Sequence, residues 1–221
     1  MKASVRLKCK TSENSDKTQS MSHSGMKRYL LTIWLLLPGL VLAQVQGIKL
    51  DEPKTIPEFV LSDTFGSLFT ESDLIDRWTL IMFGFNSCPD VCPFTLLNLE
   101  GAVAETSLRV RPDGIPKVVF VSVDPDRDKE TVTDYALHFH PDFRGVTGER
   151  QQIDQLIKAT DSFYRLMPPD VNGFYDVQHS AFVSVIAPDG RMYAKLEPPF
   201  HIGKTAEFLA RLQITYRRDS N

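Results

Sequence analysis

The run Thr79–Phe85, TLIMFGF, carries no charge and ends abruptly at Asn86-Ser87. An apolar run this short, rich in strand formers, suits a strand buried on both faces, and such a strand needs a covering layer on each side. That requirement excludes a one-sided antiparallel sheet and an all-helical chain. Val118–Val123, VVFVSV, repeats the pattern. Ser180–Ile186 and Arg191–Leu196 flank Ala187-Pro188-Asp189-Gly190, where proline fixes one φ and glycine accepts a positive one, so these two segments form a hairpin. Helical spacing of apolar residues falls between the strands, over Pro93–Thr106, Lys129–Phe139, Glu149–Thr160 and Thr205–Thr215. Strands alternating with helices imply parallel pairing through crossovers, with the hairpin added at an edge. The pattern by itself gives an α/β sandwich. Its order, ending in a hairpin and a helix, is also what a thioredoxin-like fold needs.

At 221 residues, with 42% hydrophobic and 24% charged, the chain has enough apolar surface for one ordinary domain without disulfide staples. A net charge of −3 and the lack of a basic stripe with interleaved aromatics exclude a nucleic-acid-binding surface. The charge is unevenly placed. Residues 1–28 hold seven basic side chains against Glu13 and Asp16, whereas the remainder carries 18 basic and 26 acidic groups. Between them lies the uncharged run Tyr29–Ala43, followed by Gln44-Val45. A basic flank, a short apolar run and a small residue at its end fit an export signal cleaved after Ala43. The run falls short of the about 20 residues that a membrane-spanning helix takes, so an uncleaved anchor over residues 29–45 is the second reading. Under either, the domain from residue 48 to 221 lies outside the cytoplasm, in the periplasm. Met26-Lys27-Arg28 would itself start such a signal normally, and Cys9, upstream of it, receives no role.

That leaves Cys88 and Cys92 in the exported domain, within Phe83-Gly84-Phe85-Asn86-Ser87-Cys88-Pro89-Asp90-Val91-Cys92-Pro93, where a buried strand gives way to a helix. A helix N-terminus favours thiolate over thiol, and Cys92 is the better placed of the two. The spacing brings both sulfurs to one side of a turn, close enough to share a metal or to bond to each other. It is not the tighter Cys-x-x-Cys redox spacing. A structural disulfide here would close only a few residues and add little stability. Two thiolates select soft ions, and structural zinc or an iron–sulfur cluster wants four protein ligands. Copper at lower coordination, with one added imidazole, is the economical solution.

Five histidines compete for that third place. His23 lies in the extension, and His201 follows Pro198-Pro199-Phe200 in a surface loop. His138 and His140 sit at a helix end, where a histidine more often complements the helix dipole. His179 directly precedes the strand Ser180–Ile186, whose start in a thioredoxin-like sheet faces the cysteine turn, and it is the selected ligand. Met82, Met167 and Met192 are assigned to packing. Asp124 and Asp128 could orient the metal site or a partner, but ordinary turn and N-cap chemistry is the favoured assignment.

These residues resemble a known family. Cys-Pro-Asp-Val-Cys-Pro after FGF, the segment Val121-Ser122-Val123-Asp124-Pro125-Asp126-Arg127-Asp128, and the approach to His179-Ser180 are similar to the Sco/SenC copper chaperones from about residue 55 to 213. The resemblance implies a thioredoxin-like fold, a central mixed sheet flanked by helices, binding one copper ion through Cys88, Cys92 and His179. It also implies assembly of the dinuclear copper centre of cytochrome c oxidase, with the oxidase's copper-site subunit as partner. Further copper chaperones or thioredoxin-like reductants would be additional partners. One departure stands out: Gln178 occupies the place where the family commonly has Asp.

Two rival readings need no copper. In the first, the pair is a thiol–disulfide oxidoreductase, one cysteine attacking a partner disulfide and the other resolving the mixed disulfide. In the second, the domain is a structural partner-binding module. A peroxidase is disfavoured, because Asn86-Ser87-Cys88 lacks thiol-activating neighbours.

Overall fold

The computed structural model describes residues 46–219. The basic extension (1–28) and the export segment (29–45) lie outside the described residues, as do Cys9 and His23. No helix among the described residues is long and apolar enough to cross a membrane.

Strand β1 (Gly47–Thr55) precedes a small hairpin, β2 (Val60–Ser62) and β3 (Leu68–Thr70). Next come β4 (Thr79–Gly84), α1 (Val91–Ser107), β5 (Lys117–Ser122), the single turn α2 (Pro125–Asp128), α3 (Val132–Phe139) and β6 (Arg144–Val146). The chain finishes with α4 (Arg150–Ala159), β7 (Tyr164–Leu166), β8 (Val177–His179), β9 (Val183–Ile186), β10 (Arg191–Leu196) and α5 (Ile202–Asp219). Six strands make one mixed sheet in the order β1-β10-β9-β4-β5-β6. β4, β5 and β6 run parallel and the other pairings are antiparallel, a thioredoxin-like arrangement.

The alternation along β4 explains its unbroken apolar run. Leu80 and Met82 pack on one face with Leu96 and Leu99 of α1, Ala136 of α3 and Leu209 of α5. Ile81 and Phe83 pack on the other with Ile153 and Leu156 of α4 and with Phe59, Leu61 and Phe69 around the small hairpin. With both faces covered, neither set of alternate positions tolerates a charge. The turn at 187–190 closes as expected: Gly190 takes φ 78° and its N–H donates to the Ala187 carbonyl at 2.9 Å.

Three expectations need correction. The β9–β10 hairpin is interior to the sheet, because β1 pairs along the outer side of β10. β1, GIKLDEPKT, is a mostly polar strand with Pro53, a composition that guards a sheet edge and does not read as a strand. The segment expected as Ser180–Ile186 joins the sheet only at Val183. Val177–His179 instead pairs with β7 in a separate two-stranded ribbon, and Ser180 ends it by exchanging hydrogen bonds with Phe163. Lys129–Phe139 likewise yields a helix only from Val132, after the single turn α2.

Candidate metal centre

The cysteines sit where β4 passes into α1. Beyond Gly84 the backbone turns through Asn86-Ser87, and the Cys88 N–H donates to the Phe85 carbonyl at 3.2 Å. Helix α1 begins at Val91, earlier than the expected Pro93, which still lies in the first turn, where its missing N–H leaves no intrahelical bond unmade. Cys92 is the second residue of this helix, and its N–H points at Cys88 Sγ, 3.4 Å away. The Asp90 side chain makes no cap bond. A sulfur thus occupies the place of a capping oxygen. Gly84 lets the helix start come this close: a Cβ there would lie 2.7 Å from Cys92 Sγ and 2.7 Å from Phe120 Cε2.

His179 arrives from the ribbon. Its Nε2 lies 3.4 Å from Cys92 Sγ, and Nδ1 lies 2.9 Å from the Ser180 carbonyl oxygen. A carbonyl only accepts, so this contact assigns the proton to Nδ1 and leaves the Nε2 lone pair facing the sulfurs, the tautomer a metal ligand needs. The Phe85 ring meets the imidazole edge-on at 5.9 Å between centroids. The two sulfurs and an imidazole nitrogen all lie within 4.8 Å of one another, and they form the group among the described residues that could hold a metal ion. Thiolate and imidazole donors bind at about 2.0–2.3 Å from an ion, so a small closure would suffice. A depression of about 430 Å³, lined in part by Phe85, Cys88, Asp90, Phe163, Gln178 and His179, opens the site to solvent.

Cys88, not Cys92, is the acidic member of the pair, which reverses the expectation from helix position. Cys88 is held well below the usual thiol range, chiefly by the hydrogen bond from Cys92 and further by backbone N–H groups, against the opposing effect of burial. Cys92 is pushed up because it keeps the shared proton and because it is buried. Its side chain is fully enclosed, whereas Cys88 is half-buried. Two cysteines and one proton thus make a thiolate at the mouth and a thiol behind it.

The other candidates stay apart from this group. His138 lies in the last turn of α3, and His140 Nδ1 accepts from the Asp142 N–H at 3.1 Å. His201 lies just before α5. Met82 and Met192 are buried in the two cores, and Met167 is half-buried.

The frame around the site is only partly visible in the sequence, which offers the carboxylates as candidates but gives no sign of Arg127 or Tyr175. Asp124 and Asp128 are structural, but Asp124 makes no side-chain cap at the start of α2. Asp128 Oδ2 instead accepts from the Asn86 N–H at 2.8 Å and from Ser122 Oγ at 2.6 Å, and burial raises its pKa. Asp124, fully buried, accepts from Arg127 Nε and, at 2.9 Å, from the Tyr175 hydroxyl. The signal available was charge density: three carboxylates and an arginine directly after a buried strand must find partners wherever the fold encloses them.

Residues 49–213 match the SCO1/SenC family model. The human protein named SCO1 homolog, mitochondrial, is 31% identical over 206 residues, covering 86% of this chain and 68% of that protein. The SCO2-like protein of Rickettsia felis is 36% identical over 169 residues, covering 76% of this chain and 81% of its own length. The crystal structure of Arabidopsis thaliana ScoI with copper bound is similar at TM-score 0.66 and 27% identity, covering 72% of this chain and 98% of that one.

Proposed function

Since the chain belongs to the SCO1/SenC family, we propose that it binds one copper ion through Cys88, Cys92 and His179 and delivers it to, or matures, the dinuclear copper site of cytochrome c oxidase. The observation that carries this reading is the meeting of two sulfurs and a correctly tautomerised imidazole within 4.8 Å, beside an open depression that Cys88 and His179 line. Soft thiolates suit copper, and three donors suit its low coordination better than zinc's four. The mouth position of Cys88 makes it the first ligand a partner's thiolate can replace, while enclosed Cys92 leaves last. The partner is the copper-site subunit of the oxidase. The setting is extracytoplasmic, reached through residues 29–45 as signal or tether.

The test is a Cu(II) titration of the reduced full chain. An intense sulfur-to-copper charge-transfer band is expected, lost when both Cys88→Ser and Cys92→Ser are introduced. Absence of the band in the parent, or its survival in the double variant, overturns the ligand set. Failure of the loaded chain to build the dinuclear centre in the isolated copper-site domain of the oxidase subunit overturns delivery alone.

One observation favours a second reading, the unequal thiols. A thiolate at the mouth with a protonated thiol behind it is the arrangement of an attacking and a resolving cysteine. Cys88 Sγ would attack a partner disulfide, forming a mixed disulfide and releasing one partner thiolate. Cys92, on losing its proton, would then attack Cys88 Sγ, forming the internal disulfide and releasing the second. Reductase turnover in His179→Ala with copper chelated would favour this reading over the first.

A further inference from the structure

His179 hangs from a ribbon that is not part of the main sheet. β7 and β8 pair only over Tyr164↔His179, Arg165↔Gln178 and Leu166↔Val177, and the intervening loop is closed by Met167 N–H to Asp176 O at 2.9 Å and Asp170 N–H to Phe174 O at 2.7 Å. A two-stranded ribbon is marginal without outside support. Val177, 4% exposed, roots it in the core.

Tyr175, four residues before the imidazole, supplies a second attachment, and Arg127 of α2 is what it attaches to. Arg127 Nη1 donates to the Tyr175 carbonyl at 2.9 Å, and the guanidinium lies over the Tyr175 ring at 4.0 Å. Arg127 Nε donates to buried Asp124, whose other oxygen accepts the Tyr175 hydroxyl. The guanidinium also lies 5.6 Å from the centroid of the Phe85 ring, itself edge-on to His179. One residue further along the same turn, Asp128 holds the Asn86 N–H, two positions before Cys88. A single helical turn therefore grips both ligand-bearing segments, through different side chains.

We propose that Arg127 is a positioning residue for the metal site: by clamping the Tyr175 ring and carbonyl it sets where His179 stands relative to the two sulfurs. The clamp rests on the copper reading above for its consequence, but not for its existence, which the metal-free protein also reports. Arg127 also neutralises Asp124, so its removal alone would confuse positioning with the loss of a buried ion pair. Tyr175→Ala separates the two, because it leaves the Arg127–Asp124 pair in place. Arg127→Lys keeps the charge but has neither the fork nor the flat face.

The experiment compares Cu(II) affinity, by competition with a chelator, in the full-length parent, Tyr175→Ala and Arg127→Lys, each with and without His179→Ala. Outer partners of a ligand histidine typically matter by about 10–100-fold, so about a tenfold loss is expected for Tyr175→Ala and Arg127→Lys. In the His179→Ala background the same changes should cost nothing further, since there is no imidazole left to place. In the metal-free protein, amide exchange at Val177–His179 should quicken about tenfold in Tyr175→Ala while Cys92–Leu96 stays as in the parent. Cu(II) affinity within twofold of the parent in Tyr175→Ala, or an equal loss with and without His179, overturns the proposal. Should the parent bind no copper, the exchange measurement decides alone: unchanged exchange at Val177–His179 overturns the clamp, and selective quickening sustains it while the copper reading falls.

Discussion

Cys88 and Cys92 hang from a strand covered on both faces and from the first turn of a 17-residue helix, whereas His179 hangs from a pair of three-residue strands at the surface. Between Thr79 and Phe85 every residue is buried; between Pro168 and Gln178 only Val177 is. The sulfur arm is fixed by packing that the domain needs in order to fold at all. The imidazole arm is fixed by one fully buried residue, Val177, by partly buried Tyr164, Leu166 and Tyr175 against the same core, and by a handful of polar contacts around Arg127, whose net worth is about 1–3 kcal/mol each at most. Two sulfurs are thus always presented, and the third donor is adjustable with little disturbance of the core. On the delivery reading proposed above, that division would leave both the mouth sulfur and the adjustable donor on the open side of the site.

The largest effects should come from the rigid arm. Cys88→Ser or Cys92→Ser removes a donor outright, so Cu(I) affinity should fall by more than the about 100-fold upper end seen for outer-shell partners, as read by chelator competition. His179→Ala should cost Cu(I) much less than Cu(II), since the sulfurs alone suit the softer ion. Equal losses of both ions in His179→Ala would show that the arms are not separable. Next in size is the difference between the thiols. A lowered pKa keeps Cys88 as thiolate below the pH at which a free thiol gains its proton, near 8.5. Alkylation of the metal-free, reduced chain at pH 6 should therefore proceed at Cys88 about tenfold or more faster than in the urea-unfolded chain. Cys92 should stay unlabelled until Cys88 has reacted, as peptide mass mapping would reveal. Faster labelling of Cys92 would reverse the assigned proton.

Packing on the sulfur arm provides the third measure. Gly84→Ala would place a methyl 2.7 Å from both Cys92 Sγ and a Phe120 ring carbon. Overpacking of that kind costs about 1–3 kcal/mol, measurable by urea unfolding. The same substitution should also weaken copper binding by displacing Cys92. A loss of stability with unchanged copper affinity would mean that the core does not set the position of the sulfur.

The two arms also differ in how well the sequence announces them. β4, β5 and the β9–β10 hairpin are legible because burial on both faces, or a Pro-Asp-Gly turn, leaves few residue types available. β1, β2–β3 and β7–β8 are short or peripheral, with few apolar positions to announce them, so Val177–His179 does not read as a strand of its own and His179 reads only as the residue before one. The soft-ligand chemistry of Cys88, Cys92 and His179 is visible in residue type. The frame is not, because Asp124-Pro125 and Asp128 are equally good turn residues, and only burial distinguishes a cap from a clamp. Arg127 and Tyr175 lie 48 residues apart, and nothing local to either names the other.

The smallest effect belongs to Gln178, and it probes the adjustable arm directly. Gln178 is exposed at the rim of the depression, beside His179 and opposite Arg165 on the neighbouring strand. Gln178→Asp would add a negative charge near the bound cation and a cross-strand opposite-charge pair, each worth about 0.2–1 kcal/mol at an exposed position. Both act in the same direction, one on the ion and one on the ribbon that carries the imidazole. Cu(II) affinity should rise about two- to fivefold at low salt and less in 0.5 M salt, with Cu(I) affinity nearly unchanged. Slower amide exchange at Val177–His179 in the metal-free variant would assign part of that gain to ribbon order, and its absence would assign all of it to charge. A fall in Cu(II) affinity would mean that Arg165 draws the new carboxylate, and the strand with it, away from the sulfurs, so that the ribbon is steered by its own cross-strand pairs more than by its roots at Val177 and Tyr175.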